Sequence, residues 1–473
     1  MFRKPSAIAV VVACAVVALS SSAQTPTIAA TESNAGPGSD DLALDESDQP
    51  ESPVDNAEGL VGVGEYAEAI NIVELEIEKI ERRSNRYNIE LARPLVVLGD
   101  ALAGVGDRDG ALGAFDRAVH ITRVNRGLHH PSQVDIVYRE AAVLAANGDV
   151  KQANRRHEYA YGILLRSHGG GSPMLLPGIF SLADWYLVNY NIFSARGLYE
   201  HALSVADETL GAADPSRLRA LRGMAATYLS ERFPPYQEER KSPSSQPVAY
   251  RYGTLPAINN FAKGERALIE VVNVVMASAE APEEDVADAV LELGDWYLIF
   301  GKHDRATTLY RHVWELLQAK PDQLAGIFDV PTPLYLPLPG DPDNDDVATG
   351  RPRSGVVELS FRVDESGGVS GIATLRSEPR DLMDVKVRRA VRRARYRPVF
   401  DGQNTLATED VRVSHEFMYY ASDDFPAVDG SKEQAKAADH RGGAAQQRAA
   451  FVHHIGQNRR SPGTAPTEFS RRL

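Results

Sequence analysis

The sequence predicts an α-solenoid of helical hairpins followed by a small α+β module of β-hairpin, helix and strand, with disordered termini. Three observations predict it. Small and aromatic residues recur every 42 positions through the first two thirds of the chain. A strand pattern of period two begins near residue 355, and a helix pattern of period 3.6 follows it. Residues 24–56 and 421–473 offer little apolar surface to bury.

The chain has 473 residues, 43% hydrophobic and 25% charged, which suits soluble globular material with more than one folding unit. A net charge of −14 repels phosphates and argues against a nucleic-acid partner. Arg3 and Lys4 lead into an apolar run from Ala7 to Leu19, then Ser20-Ser21-Ser22-Ala23. That order predicts a signal peptide over residues 1–23, cleaved after Ala23, and hence an exported protein. Two other readings stay open. Val11-Val12-Ala13-Cys14 loosely resembles a lipoprotein box, and residues 7–19 could stay uncleaved as an inner-membrane anchor, although the run falls short of the roughly 20 residues of a span. Cys14 is the only cysteine, so the cleaved chain would hold itself together without disulfides.

Residues 24–56 carry Glu32, Asp40, Asp41, Asp45, Glu46, Asp48, Glu51 and Asp55 and no Lys or Arg, which predicts an acidic disordered tether. The repeats follow over residues 57–320. Ala69, Ala111, Ala153 and Ala195 stand 42 residues apart, preceded at five residues by Gly64, Gly106, Gly148 and Tyr190. Phe115 and Tyr199 follow two of the alanines, and Ala118, Ala160 and Ala202 continue the pattern. Small residues let paired helices approach, while aromatics fill the groove between pairs. Gly294, Tyr297, Gly301, Ala306 and Tyr310 repeat the places of Gly99, Leu102, Gly106, Ala111 and Phe115, giving about six repeats. This pattern resembles the tetratricopeptide repeat (TPR) in the 42-residue form of kinesin light chains. The resemblance implies a surface for proteins or peptides rather than for catalysis.

The loops share the period. Gly127 to Pro131, Gly169 to Pro173 and Gly211 to Pro215 are one G-x-x-x-P motif. Glycine can close a helix at positive φ, Ser172 and Asp214 can cap the next one, and proline suits its first position. His168-Gly169-Gly170-Gly171 is therefore read as a repeat loop and not as an esterase oxyanion loop, since the chain holds no G-x-S-x-G elbow. Residues 231–256 interrupt the array as a polar, proline-rich insertion, and helix resumes from about Ile258 to Ala279. Trp185, Tyr186, Trp296 and Tyr297 are read as helix-packing aromatics before ligand contacts.

Residues 321–352 read as a Pro-rich, then acidic, extended linker. In the module at 353–420, Val357, Leu359, Phe361 and Val363 alternate with polar residues, Gly367-Gly368 turns the chain, and Val369 to Leu375 forms the second strand. Val387, Ala390, Val391 and Ala394 make one apolar helix face. Lys386, Arg388, Arg389, Arg392, Arg393, Arg395 and Arg397 meet no acid between Val385 and Pro398, where the helix is expected to stop. Arg388, Arg389, Arg392 and Arg393 are candidates for contact with an anionic envelope polymer or lipid head group. Val411, Val413 and Phe417 set up the final strand.

Hairpin, helix, Tyr396-Arg-Pro398, the Gly402 turn and a strand ending in Phe-Met-Tyr-Tyr together resemble the C-terminal domain of the TonB family. The resemblance implies a periplasmic domain that grips an extended segment of an outer-membrane receptor beside its last strand. Carried onto this chain, that strand is Glu409 to Tyr420, with Val411, Val413, His415, Phe417 and Tyr419 as candidate partner-binding positions. An exposed strand edge binds extended peptides through its backbone. The chain departs from TonB transducers in having no histidine before His120 and no long Pro-Lys rod. The reading is thus a non-catalytic adaptor, with an energy-transducing component of TonB-dependent transport as the alternative. Residues 421–473 read as a disordered tail, in which His453 and His454 lack the companions of a metal site. No catalytic, cofactor-binding or metal-ligating residue is assigned, since the chain lacks H-E-x-x-H, P-loop and dinucleotide motifs.

Overall fold

The computed structural model describes residues 52–212, 214–235, 260–278, 281–342 and 351–421. The expected signal peptide and its alternatives, most of the tether, the middle of the insertion, the end of the linker and the tail lie outside the described residues. The chain divides into two compact units, one up to Ile121 and one from Thr122 onward.

The first unit holds α1 (Pro53–Val63), α2 (Tyr66–Arg83), α3 (Ala92–Val105) and most of α4 (Arg108–Arg126). Helix thus begins inside the segment expected as tether. Ser52 and Asp55 form a reciprocal capping box, each side chain accepting the other's backbone N–H at 3.1 Å. Pro53 occupies the first helical position, and the Asp55 carboxylate also accepts from Arg93 at 2.6 Å. A local cap and the buried Ala57 outweigh the acidic composition around them.

The second unit continues the pairs with α5 (Val134–Ala146), α6 (Val150–His168), α7 (Leu176–Val188), α8 (Ile192–Thr209), α9 (Pro215–Arg232), α10 (Asn260–Ala277), α11 (Glu283–Ile299) and α12 (His303–Leu316). With α1–α4 these make six helix pairs among the described residues, the expected solenoid-like array. Ala69, Ala111, Ala153 and Ala195 are all fully buried, as are Ala118, Ala160 and Ala202. Gly64, Gly106, Gly148 and Tyr190 all sit at positive φ, the last at 59°. A tyrosine therefore takes a backbone state that glycine fills in the other three repeats.

The G-x-x-x-P loops obey the expectation only in part. Gly127 and Gly169 have positive φ, but Gly211 does not. Gly169, at φ 80° and ψ 158°, lies in a region essentially reserved for glycine. Ser172 accepts from the Met174 N–H and Asp214 from the Ser216 N–H, and His130 caps the third loop through Nδ1.

The linker expectation fails over its first half. Residues 321–328 form helix α13 (Pro321–Phe328), and Thr332–Tyr335 form strand β1. Leu324 and Phe328 bury themselves in the core of the last helix pair, so apolar docking prevails over proline content. The insertion also begins later than expected, since α9 runs to Arg232. Phe233 then packs against Phe300 and Tyr335, whose hydroxyl donates to the Pro234 carbonyl at 2.7 Å.

The module comprises β2 (Arg351–Val363), β3 (Val369–Glu378), α14 (Asp384–Arg393), β4 (Arg395–Arg397), β5 (Val399–Phe400), β6 (Thr405–Leu406) and β7 (Thr408–Ala421). Val357, Leu359, Phe361 and Val363 are buried, as are Val387, Ala390, Val391 and Ala394. The helix ends at Arg393 rather than at Pro398, because residues 395–397 pair with β1 as an antiparallel strand. Nothing in the local sequence announces that partner.

Candidate partner-binding edge

β2, β3 and β7 form one antiparallel sheet in the order β3-β2-β7, so β7 is an edge strand among the described residues. Its register with β2 runs unbroken from Val411 opposite Phe361 to Ala421 opposite Arg351. Along such a ladder, successive residues turn their backbone groups to opposite sides. The Met418 N–H donates to the Asp341 carboxylate at 2.7 Å, which marks even-numbered amides as facing away from β2. Counting back in twos, Glu416, Ser414 and Arg412 offer their N–H and C=O groups at the free edge.

Side chains along β7 follow the opposite logic. Val413, His415 and Phe417 are buried, while Val411 and Tyr419 are half-buried. The first three thus form core, and a partner could meet only the backbone beside them. His415 lies 6.0 Å from Phe417, centroid to centroid, and its Nε2 has no partner among the described residues. Burial pushes its pKa down to about 4.

The Tyr396-Arg-Pro398 motif faces inward. Tyr396 is buried with its ring 5.6 Å from Phe361, and its backbone N–H donates to the Gly367 carbonyl at 2.9 Å. Pro398 is buried too. Gly402, at φ 91°, turns the β5–β6 hairpin. Residues 346–417 match the family model of the Gram-negative bacterial TonB protein C-terminal.

This TonB C-terminal-like module departs from the sequence expectation at its arginines. Arg397 belongs to the run from Val385 to Pro398 that holds no acid, yet its Nε and Nη2 reach the two oxygens of Asp295 at 2.9 and 2.6 Å. The acid stands 102 residues away in sequence, in α11, beyond the reach of any local pattern. Arg388, Arg389 and Arg392 line a shallow, open cavity of about 410 Å³ with Asp381, Asp384 and Val385. Acids therefore temper this cationic face, and Arg393 stands exposed at its end.

In the repeats, Trp296 and Tyr297 are buried as packing residues. Trp185 and Tyr186 are only half-buried. The Trp185 indole stacks on His157 at 4.3 Å and donates to Asn154, and the Tyr186 hydroxyl donates to Glu158. Solved structures similar to this chain include nearly identical TPR-like repeats assigned to a kinesin light chain of Podosopora anserina. They show 23% identity over 38% of this chain and 85% of that one, with a TM-score of 0.33. BtubC (BKLC) from P. vanneervenii is 14% identical over 57% of this chain and 92% of its own, with a TM-score of 0.39. No curated protein matches the sequence. Among the described residues, no helix is long and apolar enough to cross a membrane.

Proposed function

We propose that the protein is a non-catalytic adaptor of the bacterial periplasm, with a repeat array for one protein partner and a TonB-like strand edge for another. The observation that carries this reading is the division of labour along β7. Backbone groups of Arg412, Ser414 and Glu416 face the free edge, while Val413, His415 and Phe417 are committed to the core. Such an edge takes an extended segment by adding it as a strand, with light demands on its sequence. An extended segment of an outer-membrane receptor is the partner this chemistry suits best. The chain reaches it after export, with residues 1–23 removed.

The test is capture from a Gram-negative envelope extract by the full-length chain and by Arg412→Pro in parallel. Proline at an edge position deletes a free donor without touching the ladder. Partners lost by the folded variant support strand addition. Equal recovery by both proteins would exclude it.

A further inference from the structure

The segment 182–187, Leu-Ala-Asp-Trp-Tyr-Leu, recurs at 293–298 as Leu-Gly-Asp-Trp-Tyr-Leu. The two stretches open equivalent sites. Tyr199 donates its hydroxyl to Asp184, and Tyr310 donates to Asp295 at 2.8 Å, each tyrosine standing 15 residues after its acid. An arginine completes each site. For Asp184 it is Arg219, at 2.8 Å, from α9, the first helix of the following pair. For Asp295 no helix pair follows among the described residues, and the arginine is Arg397 of β4.

The substitution extends beyond one ion pair. In the fourth and fifth pairs, Gly223 of α9 lies so close over the Tyr199 ring that a Cβ there would collide with it. At the end of the array, Gly402 lies over Trp314 of α12, where a Cβ would stand 2.9 Å from the indole. Phe400 joins the buried Tyr310 and Phe328 and the half-buried Trp314 in one aromatic cluster. Arg397 also donates to the Ile327 carbonyl at 3.2 Å, and its side chain is only 10% exposed. The last repeat of a solenoid has an apolar face with no successor to cover it, and such arrays need a capping element there.

We propose that the TonB-like module takes the place of a seventh repeat. β4 and the β5–β6 hairpin cap the last helix pair, and Arg397 stands in for the arginine that a next repeat would supply. The family motif, Tyr396 to Gly402, then serves here as the joint between array and module. The strand edge of β7 is mounted on the last helix pair as part of one folding unit, not tethered to it by a flexible linker. This inference does not depend on strand capture.

Hydrogen exchange of the full-length chain, read by mass spectrometry, tests it without any partner. Arg397→Met leaves the half-buried Asp295 carboxylate without its cation and held by the Tyr310 hydroxyl, a change that should open the joint. Exchange is expected to rise roughly 100-fold or more, both in residues 303–316 and in residues 395–406. Residues 134–168 should not change. Should that variant fail to accumulate, Tyr310→Phe removes one hydroxyl from the same carboxylate and should raise exchange about tenfold in both segments. A rise confined to residues 395–406, with 303–316 unaltered, would overturn the proposal, because the array would then be complete without the module.

Discussion

Moving a proline by one residue along β7 should separate the fold from its edge. The Val413 N–H faces β2, opposite Leu359, whereas the Arg412 N–H faces the free side. Val413→Pro deletes a ladder hydrogen bond contributing about 1 kcal/mol and strands a buried acceptor at about 1–3 kcal/mol. Val413 is also 1% exposed, so its side-chain packing is lost as well. Together the change should cost roughly 2–4 kcal/mol or more. Arg412→Pro gives up no ladder bond. It loses only a solvent-screened contact with Asp410, whose carboxylate it meets at 2.7 Å. Urea denaturation followed by circular dichroism should therefore place Arg412→Pro near the wild type and Val413→Pro well below it. The reverse order would show that the amide parity assigned from Met418 and Asp341 is wrong.

Other changes bear on the repeats, the edge and pH. Gly169→Val forces a β-branched residue into a glycine-only region and should lower stability by about 1–3 kcal/mol, while His168→Ala should leave the unfolding midpoint unchanged. Equal midpoints would remove the loop glycine from the account. Asp341→Ala frees the Met418 N–H and should strengthen capture of an extended peptide in a pull-down; unchanged capture would mean the partner never reaches that end of the strand. Burial holds His157 and His415 at about 4, so both are neutral in the fold and accept a proton near pH 6.5 only once unfolded. The unfolded chain then binds more protons, and stability should fall by up to about 3 kcal/mol per histidine as pH drops from about 6.5 towards 4. His415→Phe should flatten its share of that slope in pH-dependent denaturation.

The repeat array was legible because its demands are local and recur. Ala69, Ala111, Ala153 and Ala195 are small for one reason, close helix contact, and the spacing exposes that reason in the sequence. The alternation from Val357 to Val363 was legible on the same terms. Arg397 was not, because its acid lies in α11 and no neighbouring residue records the pairing. β1 was missed likewise, since its partner β4 follows it by more than a helix and two strands. Val413 and Phe417 were legible as strand residues of β7, but pattern alone does not say which amides face the edge. Asp341 supplies that, through one hydrogen bond made across 77 residues of sequence.

Residue-resolved hydrogen exchange along β7, with and without a captured extended peptide, is the most direct measurement of the adaptor's strand edge. Strand addition predicts new protection at the amides of Arg412, Ser414 and Glu416, with Val413 and His415 already protected in the free protein. New protection confined to α14 or to the repeat helices, with the three edge amides unchanged, would contradict it.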